Sequence, residues 1–298
     1  MSLDYESHHA ASRIANRNFD KEWFKRAIKL ADRNGLLEST AAVIDYGCSA
    51  CELIEIIKTR FGCYCIAADY PPEAVRYAKN LGFDSFQYDG NKPDSLPPEY
   101  ENFFDIAFST AHLEHITNLD SMFSIVYRSL KKDGGFVCTV PNSSSYKFWL
   151  TYIYEGTMLD EGHHYRHLNY AKIMQLIVMN GFDVVDELHY KNLSLLIRFL
   201  STAMTALLKA FRPVASRIAG TKYFEKGFTY LPEFQTIDWG FLLKKDPGFP
   251  PIGINLHNLY KYKVDKSYII DKIERQLIGA GWMSQQRFNN IKEQLKPH

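Results

Sequence analysis

The sequence has almost no net charge and few cysteines, and both deficits narrow the choice of function. It has 35 Lys and Arg against 34 Asp and Glu in 298 residues, a net charge of +1. A broad nucleic-acid surface usually brings a clear positive excess, so we expect no nucleic-acid partner. The five cysteines are odd in number and lack the spacing of a disulfide framework, which favours a reduced, cytoplasmic setting. The chain also does not open with the charged and then apolar pattern of a secretion signal.

Four of the cysteines raise the question of a zinc site. Cys48 and Cys51 have the spacing C-x-x-C, and Cys63 and Cys65 follow close behind. However, Cys63 and Cys65 alternate within a strand-like run, whereas the first pair lies on a glycine turn. We therefore expect small buried thiols and no bound metal.

Apolar runs alternate with helical patterns through the first two thirds of the chain. Apolar residues make up 46% of the sequence and aromatic residues 14%, which is typical of a globular protein. The alternation predicts an α/β fold with a doubly wound, Rossmann-like, mostly parallel sheet covered by helices on both faces. Residues 4–17 are polar and are expected to be loosely ordered, and a turn is expected at Asp133–Gly135. The predicted strands cover about residues 42–46, 63–68, 84–88, 103–108, 136–140, 182–188 and 237–243.

The stretch VIDYGCSAC (residues 43–51) marks the centre of this pattern. A buried strand leads into an acidic residue, a glycine turn and the start of a helix, which is how nucleotide-type sites of open α/β sheets begin. Ser49 and Cys51 occupy positions where the full G-x-G-x-x-G fingerprint has glycine. A side chain at Ser49 requires a compatible backbone angle, so the turn is expected to be altered or the affinity lowered.

Several polar residues end the predicted strands and should meet at one edge of the sheet. Right-handed crossovers bring Asp45, Asp69, Asp89 and Ser109 to the same rim, where open α/β sheets bind ligands. Asp69 lies 22 positions after Gly47, close to the offset of roughly 20 residues expected for a carboxylate that binds ribose hydroxyls. For Asp45 and Asp89, capping of a helix or turn is the more common role.

Six stretches in order resemble class I S-adenosylmethionine-dependent methyltransferases, in particular the small-molecule group that contains the ubiquinone-type O-methyltransferases. They cover about residues 40–190 and read VIDYGCSAC, IAADY, FQYDG, FDIAFSTAHLEHI, LKKDGGFVCTVPN and HYRHLNYAKIMQLIVMNGFDV. The resemblance implies that S-adenosylmethionine is the cofactor, that S-adenosylhomocysteine is its product, and that the acceptor is a small or lipid-linked molecule. An NAD-dependent oxidoreductase would require the complete glycine fingerprint.

The resemblance also implies roles for individual residues. The turn of Asp45, Gly47, Cys48 and Ser49 would hold the methionine part of the cofactor. Asp69 would bind the ribose hydroxyls. Tyr70 would lie against the adenine, and Asp89, next to Gly90, would meet its amino group. The residues from Ser109 and Thr110 to His112 would line the sulfonium side.

Histidines near the rim are the candidates for acid–base chemistry. Methylation of a hydroxyl requires loss of its proton, and histidine accepts protons near neutral pH. The candidates are His112, His115 and His164. Glu114 could orient His115 or join His112 and His115 in a divalent-metal site, whereas a purely structural role for His115 is equally open. His164 and Arg166 are expected on a loop that folds back over the site.

The rest of the chain is predicted to extend the methyltransferase domain of residues 1–246. Residues 190–236 would be a helical insertion before the last strand, and residues 247–298 a helical C-terminal extension. Within residues 192–224 an apolar helical stripe faces five basic residues and no acidic ones. This pattern favours a lid or a homodimer face, or alternatively peripheral contact with anionic lipid. N- or C-methylation, and a non-catalytic cofactor-binding subunit, are the remaining alternatives.

Overall fold

The computed structural model describes residues 10–155, 164–190, 236–246 and 289. The predicted insertion and the C-terminal extension lie almost entirely outside these residues. None of the described helices is long and apolar enough to cross a membrane.

Seven strands form one mixed sheet in the order β3-β2-β1-β4-β5-β7-β6. Only β7 runs antiparallel to its neighbours, β5 and β6. The predicted Rossmann-like, mostly parallel architecture is therefore confirmed. The strands are β1 (Ala42–Tyr46), β2 (Tyr64–Asp69), β3 (Asp84–Gln87), β4 (Phe104–Thr110), β5 (Leu130–Pro141), β6 (Phe182–Glu187) and β7 (Asp238–Lys245).

Helices cover both faces of the sheet and bury two apolar clusters against it. The central strands are apolar on both faces, and all five residues of β1 are buried. The edge strand β3 is short and partly exposed. The helices are α1 (Glu22–Arg33), α2 (Glu52–Phe61), α3 (Pro72–Asn80), α4 (Leu119–Ser129), α5 (Tyr146–Glu155) and α6 (Tyr170–Met179).

The strand order reverses at β1, which pairs with β2 on one side and β4 on the other. The connections from these two strands leave in opposite directions and open a crevice at their carboxyl ends. The residues of the glycine turn, the end of β2 and the end of β4 meet in this crevice.

Two local predictions are wrong. Residues 10–15 are helical rather than loosely ordered, because Ala10 is buried in the fold. The expected turn at Asp133–Gly135 lies inside the twelve-residue strand β5. A Cβ on Gly134 would lie 3.1 Å from the carbonyl oxygen of Phe104, so glycine here serves close strand packing at a register shift.

Candidate functional site

A cavity of about 380 Å³ opens at the carboxyl ends of β1, β2 and β4. This volume lies within the range typical of small-molecule sites. Nine of the ten residues predicted to bind the cofactor line it, and so do two of the three candidate catalytic histidines. They are Asp45, Gly47, Cys48, Ser49, Asp69, Tyr70, Asp89, Gly90 and Thr110, with His112 and His115.

The glycine turn forms with serine and cysteine at two positions where glycine was expected. Ser49 and Cys51 adopt φ angles of 50° and 62°, the left-handed region that glycine normally occupies. The backbone N–H groups of Gly47 and Cys48 donate to the carbonyl oxygen of Ala68 at the end of β2. The turn is therefore tied to the neighbouring strand, which offsets the cost of the two left-handed side chains.

Asp69 joins the glycine turn to the second strand. Its Oδ2 accepts a hydrogen bond of 2.6 Å from the N–H of Ser49, and its Oδ1 accepts one of 2.8 Å from the N–H of Tyr70. The side chain is 8% exposed and lines the cavity. Asp69 thus holds the turn as well as facing the space in which a ribose would have to lie.

Asp45 is a buried carboxyl group at the inner wall of the cavity. Burial raises the pKa of Asp45 well above its usual value, and the nearby Asp69 and Glu52 carboxylates raise it further. Its Oδ1 has no hydrogen-bond partner among the described residues. A buried carboxyl group of this kind gains from a donor on a ligand, so Asp45 fits a positively charged amino group.

Asp89 and Gly90 form the wall that follows β3. Asp89 Oδ1 accepts a hydrogen bond of 3.0 Å from the N–H of Asn91, and Oδ2 lies 3.3 Å from Nζ of Lys92. Asp89 therefore caps this turn, which was the more common role expected from the sequence, and it also lines the cavity. A Cβ on Gly90 would meet Cδ1 of Ile116 at 2.8 Å, so only glycine fits here without displacing that side chain.

His112 links three strand ends. Its Nδ1 lies 3.0 Å from Oγ of Ser109 and its Nε2 3.3 Å from the hydroxyl of Tyr88. Its ring packs so closely on Gly47 that a Cβ there would lie 2.5 Å from Cγ. Burial and, to a smaller extent, the nearby His115 lower the pKa of His112 to about 3. With both nitrogens engaged and so low a pKa, His112 is a weak base at neutral pH and fits a structural role better.

Ser109 does not reach the cavity. It is fully buried and sits behind His112, whereas the next residue, Thr110, lines the space. The alternation of side chains along a strand accounts for the difference between these two neighbours.

His115 belongs to a separate cluster of side chains, together with Glu114 and His164. Ligand atoms of Glu114, His115 and His164 all lie within 4.8 Å of one another. Glu114 is buried, and the rings of His115 and His164 meet edge to face with centroids 5.0 Å apart. The N–H of Arg166 donates to the carbonyl oxygen of Glu114 at 3.1 Å, which brings the loop of His164 onto this turn. His115 lines the cavity, and His164 lies behind it.

The N-terminal segment forms a wall of the cavity that was not predicted from sequence patterns. Ala10, Arg13, Lys21, Trp23 and Phe24 all line the cavity.

Two contacts tie this wall to α2. Lys21 pairs with the buried carboxylate of Glu52 at 2.8 Å, and Arg17 binds both Glu55 and the carbonyl oxygen of Ala50. An acidic residue in the first turn of α2 is the one signal in the sequence that could have suggested a basic partner here.

The cavity fits the cofactor that the resemblance implies. It offers an N–H-rich turn at a helix start, a carboxylate at the end of β2, and a buried carboxyl group at Asp45. These are suited to the carboxylate, the ribose and the ammonium group of an amino-acid nucleoside, respectively.

Comparison with known proteins assigns the family. The Methyltransferase domain family matches residues 15–187, more than half of the chain. No curated protein sequence matches the chain.

Solved structures share the fold at low sequence identity. An S-adenosylmethionine-dependent methyltransferase from Archaeoglobus fulgidus is 16% identical, with a TM-score of 0.51 over 74% of this chain and 92% of that one. One from Mesorhizobium loti is 13% identical, with a TM-score of 0.48 over 74% and 98%. The geranyl diphosphate C-methyltransferase of Streptomyces coelicolor A3(2) is also 13% identical, with a TM-score of 0.47 over 74% and 75%. The protein therefore belongs to the Methyltransferase domain family, and its Rossmann-like sheet is the fold of a solved methyltransferase.

Proposed function

We propose that this protein methylates an oxygen atom of a small-molecule or lipid-linked acceptor, with His115 as the general base. The observation that carries the proposal is the position of His115, which lines the cofactor cavity while Glu114 and His164 lie against it. The narrower resemblance to ubiquinone-type O-methyltransferases points to the same chemistry.

S-adenosylmethionine, when bound in this cavity, would supply an electrophilic methyl group on its sulfonium centre. The turn at Gly47–Ser49 and the carboxylate of Asp69 hold and orient the ligand, and orientation alone can supply much of the rate of such a displacement. His115 takes the proton of the acceptor hydroxyl, and the carboxylate of Glu114 stabilises the imidazolium that forms. His164, in contact with the ring of His115, is the second candidate for this proton.

The test compares His115→Gln and His164→Gln with His189→Gln. His189 is a matched control because it is also a half-buried histidine beside a carboxylate, 2.7 Å from Glu187, but does not line the cavity. Formation of S-adenosylhomocysteine is followed by mass spectrometry with a panel of catechols and hydroxybenzoates. We expect turnover to fall by roughly 10²–10⁴-fold in a base variant, with S-adenosylhomocysteine affinity and the control unchanged. If both variants stay within a few-fold of wild type, the base assignment is wrong.

A divalent-metal site at the same three residues is the second candidate. Two imidazoles and one carboxylate within 4.8 Å are a donor set that suits Zn²⁺, Mn²⁺ or Fe²⁺. A cation there would lower the pKa of an acceptor hydroxyl directly, so no histidine base would be needed. Activity that is lost after dialysis against EDTA and restored by Mn²⁺ would favour this mechanism. Activity that is indifferent to EDTA would favour the base.

The segment between β6 and β7 is the basis of our proposal that the protein contacts a lipid surface or a second subunit. Both of its ends lie at the rim, where the N–H of Tyr190 donates to the carbonyl oxygen of Asp238 and the N–H of Ile237 donates to that of Tyr190. The described chain therefore ends at Tyr190 and resumes at Thr236 on the side where the cavity opens. We propose that residues 192–224 contact an acceptor at an anionic lipid surface or a second subunit. Their five basic residues, without any acidic one, support the lipid surface. A cytoplasmic enzyme that contacts the membrane peripherally would fit this arrangement.

A further inference from the structure

Two cysteines flank the turn that holds the cofactor. The N–H of Cys51 donates to the carbonyl oxygen of Cys48 at 2.7 Å, which closes a four-residue turn. In such turns the first and fourth Cα atoms lie less than about 7 Å apart. Disulfides need Cα atoms roughly 4.4–6.8 Å apart, so this turn already has a spacing at which a disulfide can close.

The two side chains also face each other. The Cys48 thiol is hydrogen-bonded to Cys51, and both side chains are buried, at 3% and 0% exposure. Cys63, by contrast, directs its thiol to the carbonyl oxygen of Glu38. The hydrogen bond to Cys51 and burial raise the pKa of the Cys48 thiol, so reaction of this thiol is favoured by alkaline pH.

The position of Cys51 carries an energetic cost that glycine would avoid. Its backbone is left-handed, with φ 62° and ψ 17°, which costs a non-glycine residue roughly 1–2 kcal/mol. A cysteine at this place brings a second sulfur beside Cys48, and glycine could not.

We propose that Cys48 and Cys51 form a reversible dithiol–disulfide pair that controls cofactor binding. In the oxidised form, Cys48 is drawn toward Cys51 and away from the cavity that it lines, and Ser49 must follow. The N–H of Ser49 then loses its 2.6 Å hydrogen bond to Asp69, and the turn no longer matches the cofactor. The inference goes beyond the proposed methylation but rests on the assigned cofactor cavity.

The oxidant we name is a low-molecular-weight disulfide. Cys48, which lines the cavity, loses its proton and attacks one sulfur of the oxidant, a mixed disulfide forms, and one small thiol leaves. Cys51 then loses its proton and attacks the Cys48 sulfur, and the second small thiol leaves. Two protein thiols are oxidised, one small disulfide is reduced to two thiols, and the chain loses two hydrogen atoms.

The cofactor should protect this pair. Cys48 lines the cavity, and a ligand on the glycine turn covers the route by which an oxidant reaches it. Oxidation is therefore a property of the ligand-free protein, and the switch responds both to the oxidant and to the cofactor concentration.

The experiment treats the reduced, ligand-free protein with oxidised glutathione at pH 8.5. We expect peptide mass spectrometry to find a Cys48–Cys51 disulfide, and calorimetry to find S-adenosylhomocysteine affinity lowered at least about tenfold and restored by dithiothreitol. Prior saturation with S-adenosylhomocysteine should slow the reaction. In Cys51→Gly, the affinity should not respond to oxidised glutathione, whereas Cys63→Ser should respond like the wild type.

Three outcomes would overturn the proposal. One is a glutathione adduct on a single cysteine without the internal disulfide. Another is a Cys48–Cys51 disulfide that leaves the affinity for S-adenosylhomocysteine unchanged. The third is a reduced protein that does not bind S-adenosylhomocysteine, which would also remove the cofactor assignment. If the histidine variants do not affect turnover, the histidine base is wrong but the proposal for Cys48 and Cys51 is unaffected. The two proposals can therefore be refuted independently.

Discussion

Replacing Gly47 by alanine should destabilise the protein far more than the same change at another glycine of equal backbone geometry. Gly47 has φ +78°, and its ideal Cβ would lie 2.5 Å from Cγ and Cδ2 of His112. The left-handed angle costs alanine roughly 1–2 kcal/mol, and forcing an extra carbon into a packed site typically costs about 1–3 kcal/mol more. We therefore expect Gly47→Ala to lower the free energy of unfolding by about 2–5 kcal/mol, measured by urea denaturation.

Gly82 is the matched control for the backbone part of this cost. Its φ is +79°, and no described atom lies within 4 Å of the position of its Cβ. Gly82→Ala should therefore cost only about 1–2 kcal/mol. Adding His112→Ala to Gly47→Ala should cost less than the sum of the two single changes, because the clash is gone. Equal costs at the two glycines, or strict additivity in the double variant, would refute the close packing of His112 on the turn.

Three further predictions follow from the site and the segment beside it. Asp69→Asn should weaken S-adenosylhomocysteine binding by about 1.5–3 kcal/mol in calorimetry, while Asp84→Asn, outside the cavity, should not. If Asp69→Asn weakens binding of a 2′-deoxy analogue of S-adenosylhomocysteine as much as it weakens binding of S-adenosylhomocysteine itself, Asp69 acts through the turn alone. His112 titrates near 6.5 when unfolded and about 3 when folded, so the unfolded state binds more protons between these values. Stability present above pH 6.5 should thus fall as the pH drops toward 3, by on the order of 5 kcal/mol. His112→Gln should flatten that part of the curve, and an equally steep curve would contradict the assignment. Liposome co-sedimentation should rise with anionic lipid, fall with salt and weaken in an Arg198/Lys209/Arg212→Glu variant, whereas indifference to anionic liposomes at low salt would leave only a lid or dimer role.

The sheet was largely predictable because its strands are buried on both faces. Runs such as residues 42–46 stay apolar until a polar residue ends them, and parallel topology then brings those ends to one rim. The same reasoning brought Asp45, Asp69 and Asp89 to the cavity, whereas Gly47 and Thr110 were expected there from the family resemblance. The prediction of a turn at Asp133–Gly135 was wrong because Gly134 allows close packing of neighbouring strands.

Contacts between distant segments of the chain could not be predicted in the same way. His164 meets His115 because the backbone of Arg166 docks on Glu114, and no sequence spacing encodes that contact. The N-terminal wall was missed because it follows no strand end, and contacts such as that of Lys21 with Glu52 join segments that are far apart in the sequence. The engagement of both nitrogens of His112 likewise depends on Tyr88, which arrives from another strand.

The pairing of Tyr190 with Asp238 makes the segment between them a removable module. These two residues form an antiparallel bridge, so the chain leaves the sheet and re-enters it at neighbouring points. A two-residue turn such as Asn-Gly could join β6 to β7 as an ordinary hairpin. A variant that lacks residues 191–235 and carries such a turn should thus still close the same seven-stranded sheet, so the segment can be removed without disturbing the cavity at the other strand ends.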